Sequence, residues 1–232
     1  MNIRIPLLLI AIVTANIAAA ENPQVTLQIS GAVTGQIVIE LVADEAPITV
    51  ENFINYVQSG FYDGLIFHRV SVSNRVIQGG SFDVNLQPRA TGPAIINESS
   101  NRLSNVRGTI GMARTSAVDS ATSGFFINYG DNTYFDYGYI PFINYPAQVG
   151  YCVFGNVVSG MDIVDSIAAV STTNELPDDD IIIESATITH NVPVCAEKLE
   201  GDVDGNCRVN FADFVKMAQN WLACNSLTDA CQ

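Results

Sequence analysis

The chain has 232 residues, 48% of them hydrophobic, with a mean hydropathy of +0.23 and a formal net charge of −14 from 10 Lys and Arg against 24 Asp and Glu. A chain of this size and hydrophobicity buries a full core, which excludes a disordered protein, and its length suits one domain with an appendage. The basic residues are scattered singly, so no basic stripe is available to neutralise phosphates, and nucleic acid is excluded as a partner.

At the N-terminus, Arg4 precedes an apolar run from Leu7 to Val13, and the small residues Ala18, Ala19 and Ala20 follow. This is the layout of a cleaved secretory signal over residues 1–20. A bilayer span needs about 20 apolar residues, so no stable membrane span is expected. The mature protein is expected in the periplasm or outside the cell. The removed segment contains Arg4 and no acid, so the formal charge moves from −14 to −15.

Alternation at Val25, Leu27 and Ile29, and again at Ile37, Ile39 and Leu41, predicts two strands joined by a turn containing Gly31 and Gly35. Val50, Phe53, Ile54 and Val57 then fall on one helical face, with Pro47 near the start and Gly60 just past the end. That spacing predicts an amphipathic helix over 47–59. Short β-branched and aromatic runs follow, then a second helical pattern at Met161, Val164 and Ile167 and a strand through Ile188. Asp178, Asp179 and Asp180 read as a solvated turn before that strand rather than as a metal site. Cys152 lies in a β-like run and is expected to be a free, buried thiol. Many short strands with two helices predict a mainly β barrel or sandwich, and periodicity alone does not choose between them.

From Pro193 the pattern changes, so 193–200 reads as a linker and 201–232 as a small second unit. With Asp202 as position one, Asp204, Asn206, Asn210 and Asp213 take positions three, five, nine and twelve, and the Arg208 carbonyl takes position seven. This is the spacing of a calcium loop. Position six, where the sharp turn favours glycine, is Cys207, and position twelve is Asp rather than Glu. Phe214, Val215, Ala218 and Leu222 line one face of a following helix. Cys195, Cys207, Cys224 and Cys231 all lie in this tail, where export permits disulfides. Four cysteines allow three pairings, of which Cys195 with Cys207 and Cys224 with Cys231 is favoured.

The most specific chemistry lies in the middle. Phe67-His68-Arg69-Val70 is followed by Ile77-Gln78-Gly79-Gly80, which sets a guanidinium, expected to be buried, beside an amide. Gly111-Met112-Ala113-Arg114 and Phe125-Phe126-Ile127-Asn128 add an apolar wall, and Val153-Phe154-Gly155 returns in a third segment. Singly, Arg69 reads as a surface ion-pair partner, His68 as a structural hydrogen-bonder, and Val76, Phe126 and Phe135 as ordinary core. In this order, the motifs resemble the cyclophilins, the peptidyl-prolyl cis/trans isomerases, across residues 25–190, so a domain is assigned to 24–192.

The resemblance implies a closed eight-stranded antiparallel β-barrel capped by two α-helices. It also implies acceleration of X-Pro isomerisation during folding of exported proteins, proline-containing polypeptides as partners, and no cofactor for catalysis. Arg69 becomes the candidate catalytic donor with Gln78 as its acceptor. His68, Val76, Ala113, Phe126, Phe135 and Tyr151 become candidate substrate-binding residues, with Tyr134 at the rim. The alternative on the same fold is a proline-peptide-binding module with little or no turnover.

Two positions depart from the family's pattern. One extra residue separates the arginine from the glutamine, so Ser71-Val72-Ser73-Asn74-Arg75 fills the loop and Arg75 takes a position usually held by an aromatic. Gly124 stands where an amide side chain usually precedes Phe125-Phe126. Arg75 is expected to favour an acidic residue beside the proline. The tail, over residues 201–222, resembles half of a type I dockerin repeat. That likeness implies calcium held by Asp202, Asp204, Asn206, Arg208, Asn210 and Asp213, and a protein partner or envelope attachment for the tail.

Overall fold

The computed structural model describes residues 22–139 and 149–190, together with Gly201, Val209, Asp213, Phe214 and Met217. The expected signal segment over 1–20, the tail cysteines and all expected calcium-loop positions except Asp213 lie outside the described residues.

The chain opens with the expected hairpin, β1 (Gln24–Gly31) and β2 (Gly35–Leu41), followed by α1 (Pro47–Gln58), β3 (Leu65–Ser71) and β4 (Val76–Asp83). Next come β5 (Thr109–Met112), β6 (Phe125–Asn128), β7 (Val153–Ser159) and α2 (Met161–Ala168). A two-residue ladder of β8 (Thr172–Thr173) and β9 (Leu176–Pro177) precedes the last strand, β10 (Ile181–His190). The eight longer strands close in the order β1-β10-β3-β4-β6-β5-β7-β2, antiparallel throughout. Closure decides between barrel and sandwich, and it leaves no open edge in the main sheet.

Strand alternation explains the interior. Val25, Leu27, Ile29, Ile37, Ile39 and Leu41 are fully buried, and they meet a ring cluster in which Phe53 lies 5.1 Å from Tyr62, 5.7 Å from Phe125 and 5.2 Å from Phe154. Phe53 comes from α1, whose buried face is Thr49, Val50, Phe53 and Val57, while α2 contributes Val164 and Ile167. The first helix starts at Pro47 as expected, but its cap comes from far along the chain. Glu98 accepts the Ile48 N–H at 3.1 Å and the Thr49 N–H at 2.7 Å, placing a carboxylate at the positive end of the helix.

Cys152 is free and buried, immediately before β7, and burial pushes its thiol up to about 12. Asp178, Asp179 and Asp180 are exposed ahead of β10.

Candidate active site

The site forms on the outer face of the barrel where β3, β4, β5 and β6 run side by side. Its first determinant is a bulge. Phe67 pairs with Gly79 and Arg69 pairs with Gln78, so His68 is one residue more than the partner strand supplies. Unbroken alternation from Phe67 would point Arg69 into the barrel. The bulge shifts the parity instead, so Phe67 and Val70 both enter the core and Arg69 turns outward. The guanidinium is therefore not buried as the sequence suggested; its side chain is 37% exposed.

Two contacts fix that guanidinium. Its Nη1 donates to Gln78 Oε1 at 3.3 Å, and its Nε donates to Glu175 Oε2 at 2.8 Å. Glu175 sits at the tip of the β8–β9 hairpin, where Asn174 and Glu175 have φ of 53° and 66°. These are the left-handed conformations of a two-residue hairpin turn. The hairpin docks on the stretch of β3 that β10 leaves unpaired, and the Val70 N–H donates to the Glu175 carbonyl at 2.7 Å. The Ser71 hydroxyl, which also bonds the Glu175 carboxylate, is the larger cause holding that carboxyl below the usual range, with Arg69 second.

Across β4 and β6 from Gln78, which holds the guanidinium, lies a cluster of apolar side chains. Val76 and Gln78 occupy alternate positions of β4, and Phe126 is the cross-strand neighbour of Gln78. The Phe126 ring lies over Gly111 on β5, where an added Cβ would stand 2.5 Å from its Cζ. Phe126 packs edge-on against Phe135 at 5.9 Å and Tyr151 at 5.7 Å, and those two rings are 4.9 Å apart. Ala113 follows β5 and donates its N–H to the Gly124 carbonyl at 2.9 Å. At the rim, Tyr134 lies 4.5 Å from Phe135, and its hydroxyl reaches Asn74 Oδ1 at 3.3 Å.

Polar staples hold these rings. Asp136 accepts from Ser104 Oγ at 2.6 Å and from the Asn105 N–H at 2.7 Å, fixing the short 3-10 turn that carries Tyr134 and Phe135. The Arg114 guanidinium stacks 4.6 Å over the Tyr151 ring while donating to the Val149 carbonyl at 2.6 Å. Asp136 carries no motif in the sequence, and Arg114 stands there only as the end of the Gly111-Met112-Ala113-Arg114 run.

His68 does not join the pocket rings: it packs edge-on against Phe82 at 4.7 Å, with a buried Nδ1 that has no partner. Burial lowers its pKa to about 4. Arg75, with φ of 49°, is exposed at the head of β4, and its aliphatic stem covers Gly130. A Cβ at Gly124 would stand 2.8 Å from Ser81 Oγ, a contact that rotation of the Ser81 hydroxyl relieves.

No group of three or more His, Cys, Asp or Glu able to hold a metal occurs among the described residues. Of the proposed calcium ligands only Asp213 is described, and it is buried.

The family model for cyclophilin type peptidyl-prolyl cis-trans isomerases matches residues 24–188. The chain belongs to the cyclophilin family. Among curated cyclophilins it is 46% identical over 176 residues to peptidyl-prolyl cis-trans isomerase A of Dickeya dadantii, covering 74% of this chain and 87% of that protein. It is 45% identical over 164 residues to peptidyl-prolyl cis-trans isomerase B of Escherichia coli, covering 67% and 94%. A crystal structure of a Cryptosporidium parvum cyclophilin superposes with a TM-score of 0.59 at 22% identity, covering 73% of this chain and 99% of that one, a likeness of fold.

Within this cyclophilin domain, the residue that sequence reasoning missed at the centre of the site is Glu175. The only local signal was Asn174-Glu175 between Thr172-Thr173 and Leu176-Pro177, which marks a turn and says nothing of where its carboxylate goes.

Proposed function

We propose that this chain accelerates cis/trans isomerisation of X-Pro bonds during folding of exported polypeptides, with Arg69 as the hydrogen-bond donor to the twisting prolyl amide. The observation that carries this reading is a guanidinium held at two of its nitrogens beside a three-ring apolar pocket. Rotation about the prolyl C–N bond must break amide resonance, against a barrier of about 18–20 kcal/mol. At the twisted transition state the nitrogen becomes pyramidal and regains its lone pair. A donor aimed at that lone pair therefore binds the transition state better than the planar ground state.

Arginine suits the task because it stays charged and carries five donors in a rigid fork. Gln78 and Glu175 occupy the Nη1 and Nε sides, which leaves the remaining donors for the substrate. An acceleration of about 10⁵ needs roughly 7 kcal/mol, and one charge-assisted hydrogen bond contributes about 1.5–3. The remainder comes from the pocket: Val76, Ala113, Phe126, Phe135 and Tyr151 grip the proline ring with Tyr134 at the rim. The peptide is then held on one side of the bond while the other side swings. No cofactor takes part in these steps.

Export rests on the signal-like residues 1–20. The tail is assigned a half-dockerin role, with calcium on Asp202, Asp204, Asn206, Arg208, Asn210 and Asp213 and a protein partner outside the barrel. Its support is the spacing of those oxygen-bearing positions. Exchange NMR on an Ala-Pro peptide with catalytic amounts of residues 21–232 tests the activity. Accelerated cis/trans exchange is the expected result. Saturable peptide binding without acceleration would make the domain a recognition module.

A further inference from the structure

Glu175 is an acidic residue at the tip of a hairpin that belongs to no part of the main barrel, yet its side chain and its main chain both end on β3. It adopts φ of 66°, in a turn whose geometry favours Gly or Asn at that place. A glutamate held there needs a reason in its side chain. That side chain uses both oxygens, taking Arg69 Nε–H on Oε2 at 2.8 Å and the Ser71 hydroxyl on Oε1. Ser71 is itself fully buried, and its carbonyl accepts the Tyr129 hydroxyl at 3.1 Å, so the carboxylate is anchored from a rigid part of the barrel. Gln78 holds the Nη1 side of the same guanidinium at 3.3 Å, a longer contact and one to a neutral acceptor.

From this arrangement we propose that Glu175 is a positioning residue for the isomerase reaction: its carboxylate fixes the plane and aim of the Arg69 guanidinium, with Gln78 as the weaker second clamp. The inference rests on the reading of Arg69 as the donor. A guanidinium 37% exposed on the outside of a barrel would otherwise sample several rotamers. Donation to a lone pair that exists only at the twisted state requires the fork to be in place before the amide rotates. Glu175 supplies that order by a contact at Nε, which leaves the Nη2 donors free to face the peptide. The β8–β9 hairpin is thereby part of the active site, and its turn sets how well the donor is held.

The test uses the full mature chain and three variants, Glu175→Ala, Glu175→Gln and Arg69→Ala. Exchange NMR at saturating Ala-Pro peptide gives the maximal rate, a peptide titration gives Kd, and the Arg69 Nε–H resonance gives the clamp directly. Glu175→Ala is expected to lower the maximal rate by about 3- to 10-fold, less than loss of the donor itself because Gln78 still holds Nη1, with Kd within about twofold, and to speed solvent exchange of the Arg69 Nε–H. Glu175→Gln keeps an oxygen acceptor without the charge and is expected to fall between Glu175→Ala and the parent. A purely structural Glu175 would, when removed, change melting temperature and free the Arg69 Nε–H, but leave the rate of the folded fraction as it is.

A maximal rate within twofold of the parent in Glu175→Ala, alongside collapse in Arg69→Ala, overturns the positioning role and leaves the donor intact. Retained activity in Arg69→Ala overturns the donor and the positioning role with it. Should Glu175→Ala fail to fold, Ser71→Ala removes the anchor on Oε1 without touching Arg69. A smaller loss of rate with faster Arg69 Nε–H exchange then supports the role, and an unchanged rate overturns it.

Discussion

Gly111→Ala tests whether the floor of the pocket is as tight as its geometry demands. Gly111 pairs with Phe126 across β5 and β6, and an added Cβ would stand 2.5 Å from Phe126 Cζ and 3.0 Å from both Cε atoms. Carbon atoms in contact sit about 3.5–4.0 Å apart, so the ring must retreat by about 1 Å. It has little room, because Phe135 and Tyr151 pack its flanks at 5.9 Å and 5.7 Å. Overpacking of this kind costs about 1–3 kcal/mol, and at about 2–4 °C per kcal/mol for a domain of this size the melting temperature should drop by several degrees.

The same displacement tilts the surface that receives the proline ring. Burying its three methylenes contributes about 0.8 kcal/mol each, so losing half of that contact weakens peptide binding by close to tenfold. Thermal denaturation followed by circular dichroism, with an NMR peptide titration, reads both effects. Adding Phe126→Leu removes the clashing Cζ, so the double variant should lose less stability than the sum of the two single changes. A Gly111→Ala protein that melts with the parent and binds peptide equally would refute both the packing and the pocket assignment.

His68 is held near pKa 4 by burial, so it stays neutral in the folded protein while the unfolded chain takes up its proton near 6.5. The contribution is therefore complete above about pH 6.5 and is lost as pH falls toward 4. His68→Gln should flatten that part of the plot of melting temperature against pH, and a ring-proton titration midpoint near 6.5 would contradict the burial argument. Arg75, exposed at the head of β4, should make Glu-Pro peptides better substrates than Lys-Pro peptides by about two- to fivefold at low salt. Equal preferences in the parent and Arg75→Ala would remove that role. Calorimetric titration of residues 21–232 with calcium should show one site that is lost in Asp204→Ala, and no heat at millimolar calcium would remove the metal site proposed for the tail.

Much of the fold is written in local pattern. The alternation of Val25, Leu27 and Ile29 and the spacing of Val50, Phe53 and Val57 place β1 and α1 because each records burial of one face, at period two or period 3.6. Closure of the barrel is different, since it depends on pairings such as β1 with β10 across most of the chain, which periodicity does not carry. The family likeness supplied that step. Long-range capping escapes for the same reason, because Ala46 precedes α1 and the carboxylate that satisfies the helix's first N–H groups is Glu98, 50 residues beyond Ile48.

The site divides similarly. Arg69, Gln78 and the pocket rings stand in recognisable order in the sequence, whereas the bulge at His68 leaves no mark in Phe67-His68-Arg69-Val70, which read strictly would send Arg69 inward. Glu175 escapes because its contact is made between distant strands by a turn, and a turn's composition reports backbone shape rather than side-chain destination.

The central claim is that Arg69 donates to the twisted prolyl amide. Exchange NMR on one Ala-Pro peptide, with residues 21–232 beside Arg69→Ala, tests it most directly. One charge-assisted hydrogen bond to the transition state, worth about 1.5–3 kcal/mol, predicts a fall in the catalysed rate of at least 10-fold and up to about 100-fold, with the variant still folded and still binding peptide. A catalysed rate unchanged in Arg69→Ala would contradict the account.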